Sequence, residues 1–211
     1  MTMRPDSSRF YLASASPRRA ELLRTHGYTF EVRIPRFDEP RADDLRLPPP
    51  QLAEALSYFK ARSVAEQLSQ GVVLAADTVV ALGDRIFGKP VDRDDARRIL
   101  EALVGTTHQV ITGVTLLDAA SGRRLLAHDA TLVTMRPLSA RELDDYLATG
   151  AWQGKAGAYG IQDHGDAFVT AVTGSFSNVV GLPMELVCPM LAEWGITPQP
   201  RPAGPAPRPE E

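Results

Sequence analysis

Asp77 stands in the middle of Val72–Leu82, the most apolar run of the chain. A carboxylate in such a run is costly unless a cation, a metal ion or several donors accompany it. It is therefore the foremost candidate for a catalytic or metal-binding acid; the alternative is a structural acid held by backbone N–H groups. A second group of chemically capable residues is Ser14, Ser16, Arg18 and Arg19. Ser16 is placed to cap a helix that Pro17 opens, so two arginines fall in the first turn, at the positive pole of the helix dipole. Two cations there are unfavourable unless an anion joins them. Free N–H groups, the two hydroxyls and two guanidiniums then converge on phosphate oxygens. The competing reading is a surface helix with two solvated arginines.

Lys60 follows Leu52 and Leu56 and precedes Val64 and Leu68 at steps of four. This places it on or beside the apolar stripe of a helix, either snorkelling from its edge or pointing into a cleft. Lys89, between Gly88 and Pro90, is a point charge in a restricted turn, able to meet a phosphate or to stand as an ordinary loop lysine. Gln162 ends Lys155-Ala-Gly-Ala-Tyr-Gly-Ile-Gln162, a small-residue segment that admits close backbone approach. Its amide offers a donor and an acceptor to a base edge, or it is a polar residue at a strand edge.

The elements that must position these groups follow from pattern. Phe10 onward reads as strand, small-residue turn and helix, with Gly27 as a stop. Tyr28–Ile34 is a second strand, and Pro48 starts a helix running to about Ser69. Val72–Leu82 is a central strand. In a regular strand Asp77 and Thr78 face opposite sides, so both serve one site only at a strand end or bulge, or if one acts through its backbone. Gly83-Asp84 is a hairpin turn. Asp92 or Asp94 caps a helix through about Leu103, and Gln109–Leu117 and Arg124–Met135 are strands. Ser139 and Glu142 form a capping box for a helix ending before Gly150. Phe168–Thr173 is a strand, Gly174–Ser177 a turn, and Gly181-Leu-Pro183 leads into a last helix ending near Gly195.

The 211 residues suit one large domain or two small lobes on a shared core. A net charge of −3 argues against non-specific nucleic-acid binding, so any anion site is a local basic cluster. The single cysteine, Cys188, excludes an internal disulfide, and the four histidines lack zinc-ligand spacing. No apolar run reaches about 18 residues and the N-terminus lacks a signal-peptide core. A cytoplasmic protein without membrane partners is expected. From Thr197 onward the chain is mostly Pro, Ala, Gly and charge, too poor in apolar surface to order itself.

Leu12-Ala-Ser-Ala-Ser-Pro-Arg-Arg19, Ala76-Asp-Thr78, Gly88-Lys-Pro90, His108-Gln-Val-Ile-Thr-Gly113, Lys155–Gln162 and Gly181-Leu-Pro183 together resemble the Maf family of nucleoside triphosphate pyrophosphatases. The ordered set covers about residues 9–195 as a single catalytic domain, leaving 1–8 as an extension and 197–211 as a Pro-rich tail. The resemblance implies a Maf/ITPase-like α/β fold, with a mixed, twisted sheet flanked by helices and two lobes around a deep cleft. It implies hydrolysis of a nucleoside triphosphate to monophosphate and pyrophosphate with a divalent cation, Mg2+ or Mn2+, and a homodimer. By motif position Asp77 is the proton acceptor or a metal ligand, and Glu39 helps to hold the metal, with Asp38 beside it. Ser14, Ser16, Arg18, Arg19, Lys60 and Lys89 bind phosphate, and Arg18, Thr78 and Gln162 determine substrate choice. Arg, Thr and Gln at those positions resemble the dTTP/UTP group, whereas a sister group acting on 7-methyl-GTP carries Trp, Gln and Glu. Two other readings stand beside this: a nucleotide-binding regulator of septum formation with little turnover, and a pyrophosphatase for modified purine nucleotides.

Overall fold

The structure, a computed structural model, describes residues 9–36, 47–162 and 167–199. Its frame is a mixed seven-stranded sheet in the order β2-β1-β3-β5-β6-β7, with β4 paired to β3. The strands are β1 (Phe10–Ala13), β2 (Glu31–Arg33), β3 (Val72–Leu82), β4 (Arg85–Phe87), β5 (Thr107–Asp118), β6 (Arg124–Met135) and β7 (Val169–Thr173). The helices are α1 (Pro17–Thr25), α2 (Pro49–Ala65), α3 (Arg93–Leu103), α4 (Ala140–Ala148), α5 (Phe176–Val180) and α6 (Met184–Glu193), with a 3-10 turn at Ala156–Ala158. Strand β1 runs parallel to β2 and β3; the pairs from β3 through β5 and β6 to β7 are antiparallel. The expected α/β class with a mixed, helix-flanked sheet is thus the observed one.

Strand alternation assigns the two faces. Val73, Ala75, Val79 and Ala81 of β3 pack with Leu52, Leu56, Ala61 and Val64 of α2. On the opposite face two apolar clusters lie side by side. One gathers Leu12, Leu23, Leu74, Val114, Leu182 and Leu191 under α1 and α6. The other gathers Val80, Ile99, Leu100, Val110, Val133 and Leu143 under α3 and α4. These are the two lobes, built on one sheet.

Helix α2 sits close to the sheet because Gly113 has no side chain. A Cβ at Gly113 would lie 2.2 Å from the backbone carbonyl carbon of Ala53. One turn further, Ser57 and Thr115 share a hydroxyl–hydroxyl bond of 2.7 Å between buried side chains. Backbone cannot yield as a side-chain tip can. Gly113→Ala is therefore expected to displace α2 and to destabilise the fold by about 1–3 kcal/mol or more, as overpacked cores do. Urea unfolding of the variant checks this.

Several boundaries differ from expectation. Helix α2 stops at Ala65 rather than near Ser69, yet Leu68 still packs with Val64 and Ala65 from the following turn. The second strand shrinks to Glu31–Arg33, because the Tyr28 N–H is drawn back to the Leu23 carbonyl at the end of α1. The turn expected at Gly174–Ser177 instead opens α5, capped by the Ser175 side chain at Asn178 N–H. At the C-terminal end, Gln199 N–H donates to Gly27 O at 2.8 Å, docking residues 197–199 beside the end of α1. No described helix is long and apolar enough to cross a membrane.

Candidate active site

Strand β3 is flanked unevenly. On one side β5 pairs with it from Val72 to Ala81. On the other, β1 pairs only with Val72–Ala75 and β4 only with Val80–Leu82. Residues 76–79 therefore have no strand beside them on that edge, and a cavity of about 500 Å³ opens there. Asp77, Thr78, Ser14, Ser16, Arg18, Arg19, Lys60, Lys89 and Gln162 all line it. The register of β3 on β5 is unbroken through Asp77 and Thr78, so no bulge is involved. Neither a bulge nor a strand end is needed: a cavity at an uncovered edge is reached from both faces of the strand at once.

From the α2 face comes Lys60, whose ammonium forms an ion pair with Asp77 Oδ1. Both residues are buried, at 8% and 5% exposure. Helical side chains tilt toward the helix N-terminus. That direction lets Lys60 reach back to Asp77, whose cross-strand neighbour is Gly113 beneath Ala53. Of the two readings of Lys60, the buried one is observed. Its contact is a carboxylate, so the charge of Asp77 is balanced by a named partner.

From the opposite face comes Arg19. Its Nε donates to Gly181 O at 2.7 Å, Nη2 to Thr78 Oγ1 at 3.0 Å and Nη1 to Ser14 Oγ at 3.5 Å. Ser16 occupies the N-cap position of α1, but its side chain makes no capping bond. The Ser14 hydroxyl instead accepts the Ser16 N–H at 3.1 Å. Gly181 is held by the segment before α6. Glu185 Oε2 accepts from the Ser175 and Ser177 hydroxyls at 2.6 and 2.7 Å, and these bonds, Ser175 first, hold its carboxyl below the usual range.

The remaining walls are loops. Lys89 is exposed at the rim, and Gly88 O accepts Gly157 N–H at 3.1 Å, tying that loop to the small-residue segment. Gly157 has φ +73°, and a Cβ there would stand 2.8 Å from Val80 Cγ2. Gln162, exposed and in a turn rather than at a strand edge, lies on the lining. Glu39 and Asp38 lie outside the described residues. Among the described residues no group of three His, Cys, Asp or Glu could hold a metal ion.

Sequence reasoning gave no role to several residues that the cavity uses. Tyr159 and Lys155 are buried in its wall, and the Lys155 ammonium bonds to Ala151 O. Tyr159 Oη is 2.8 Å from His108 Nε2. Burial of His108, at 1% exposure, lowers its pKa to about 4. Above about pH 6.5 the ring is neutral in the folded and unfolded chain alike. Below that the unfolded chain takes up a proton that the folded one refuses, so stability falls as pH drops toward 4. The shift is expected to cost roughly 2 kcal/mol between pH 7.5 and pH 5. Urea unfolding at both pH values should show that loss, reduced in His108→Gln.

Comparison with known proteins agrees with this architecture. The family model described as "Maf-like protein" matches residues 9–194. The chain is 43% identical over 184 residues to a dTTP/UTP pyrophosphatase of Pelotomaculum thermopropionicum, covering 87% of this chain and 95% of that protein. It is 44% identical over 189 residues to one from Moorella thermoacetica, covering 90% and 96%. A third, from Alcanivorax borkumensis, is 43% identical over 196 residues, covering 89% and 96%.

Proposed function

Because this chain belongs to the Maf family, we propose that it hydrolyses dTTP and UTP to the nucleoside monophosphate and pyrophosphate. The observation that carries the reading is the buried carboxylate of Asp77, ion-paired to Lys60, in the wall of a cavity that Arg18, Arg19 and Lys89 also line. A pocket that only bound a polyanion would gain nothing from a buried carboxylate. A pocket that must activate water needs one.

In this reading Arg18 and Lys89 meet the phosphates, and Arg19, fixed by three acceptors, presents its guanidinium to them from the α1 side. Asp77 takes the proton of the attacking water. Lys60 orients that carboxylate and balances its charge in the low-dielectric wall. Gln162, on the lining, pairs its amide with the acceptor and donor that uracil and thymine present at O4 and N3. Val80, Val110 and Val180 make the adjacent wall apolar and restrict water.

Among the described residues the Asp77 carboxylate suits a divalent cation of the Mg2+ kind, which is held by one or two carboxylates together with substrate phosphates rather than by a protein cage. Asp77, with Glu39, would hold it. Such an ion would supply charge neutralisation on the phosphates and a more acidic water. The setting is the cytoplasm, where the triphosphate pool lies.

The test is a panel of dTTP, UTP, CTP, GTP, ITP and 7-methyl-GTP with magnesium or manganese, assayed for released pyrophosphate. Preferential conversion of dTTP and UTP is expected. Turnover confined to a purine would retain the reaction and discard the roles given to Thr78 and Gln162.

A further inference from the structure

Thr78 and Thr112 face each other across β3 and β5, with hydroxyl oxygens 2.9 Å apart. Thr112 is fully buried and does not line the cavity. Its hydroxyl donates to the Asn178 backbone carbonyl at 3.3 Å. That carbonyl belongs to a fixed residue, since the Asn178 side-chain Nδ2 donates to Val110 O and Thr131 Oγ1, each at 2.9 Å.

A carbonyl only accepts and a guanidinium only donates, and a threonine hydroxyl has a single proton. Thr112 spends its proton on Asn178 O. With that direction Thr78 donates to Thr112 Oγ1, while accepting from Arg19 Nη2 at 3.0 Å. The Thr78 oxygen is turned to the arginine.

We propose that Thr112 is a positioning residue: with Thr78 it forms a hydrogen-bond relay from the Asn178 carbonyl to the Arg19 guanidinium, and it acts on the substrate through that arginine. The relay couples β5 and α5, which carry no phosphate ligand, to the arginine at the start of α1. The proposal rests on the triphosphate reading of the cavity. Pyrophosphate release from dTTP by the unaltered chain tests that reading by itself, so the two can fail separately.

The probe is inorganic tripolyphosphate with magnesium, which has phosphates and no base, compared by calorimetry with a non-hydrolysable dTTP analogue. Thr112→Val keeps the shape and removes the hydroxyl; Asn178 O retains the Gly181 N–H as a donor at 2.9 Å. Thr112→Val is expected to weaken both probes by the same factor, about threefold to tenfold for one lost neutral hydrogen bond behind the arginine. Thr112→Ser restores both affinities. In an Arg19→Ala background, Thr112→Val costs nothing further, which a merely structural role would not produce. Loss of the dTTP analogue with tripolyphosphate unchanged would overturn the relay and make Thr78 a base reader. Unchanged affinity for both probes would overturn it too, as would a parent chain that binds the analogue but no tripolyphosphate.

Discussion

Asp77→Asn is expected to lower kcat for dTTP by about a hundred- to ten-thousand-fold, the usual worth of a positioned general base. Asparagine has nearly the same shape, and its carbonyl oxygen still accepts from Lys60, so the carboxamide occupies the place of the carboxylate. What disappears is the ability to take a proton from water. Nucleotide binding is expected to persist, because the groups assigned to phosphate lie on α1 and on the loop after β4. Melting should move to lower temperature, since the buried Lys60 ammonium loses its counter-charge. Single-turnover kinetics together with analogue binding separates these effects. Turnover at the normal rate by a folded variant would remove Asp77 from the proton-transfer role.

Lys60→Met has the second largest expected effect, and it discriminates between two roles for the lysine. If Lys60 were only a phosphate ligand, the variant would raise KM and leave stability alone. The observed ion pair predicts otherwise. With side chains at 10% and 7% exposure, the pair is shielded from solvent, and removing one partner strands the other. Breaking such a pair costs about 3–5 kcal/mol. The neighbouring cavity lets water reach the stranded carboxylate, so the lower end, about 3 kcal/mol, is expected here. Replacing both members, as Lys60→Met with Asp77→Leu, should recover most of that loss while leaving the chain inactive, because an apolar pair carries no uncompensated charge. Urea unfolding of the single and the double variant gives the comparison. A single variant as stable as the parent would show that the pair contributes nothing to the fold.

Much of the frame was legible because it follows from short-range rules. The apolar run Val72–Leu82 became β3 with those bounds, and the Ser139–Glu142 capping box opens α4 with both reciprocal bonds. Asp77 announced itself by breaking an apolar run, and Lys60 by its place on a four-residue stripe. What was not legible depends on register. That Thr78 meets Thr112, and that Gly113 lies beneath Ala53, follow only from the alignment of β3 with β5, two strands separated by β4 and α3. Nor does a linear pattern reveal that β1 ends at the level of Ala75 and β4 begins at Val80. Alternation alone sets Asp77 and Thr78 on opposite sides. The missing stretch of neighbouring strand lets them share one cavity.

The bond between Arg19 and Gly181 joins residues 162 positions apart, and β1 reaches the sheet only through β3, some sixty residues downstream. Contacts of such long sequence separation form slowly, because loop-closure entropy precedes any reward. During synthesis the antiparallel half, β3 through β6, can assemble on neighbouring segments while Arg19 still lacks its Gly181 acceptor. The guanidinium clamp closes only after the ribosome has released Gly181. Catalytic competence is therefore a late event in the life of each chain, and a product truncated before α5 would carry all seven strands and lack the Gly181 acceptor of the clamp.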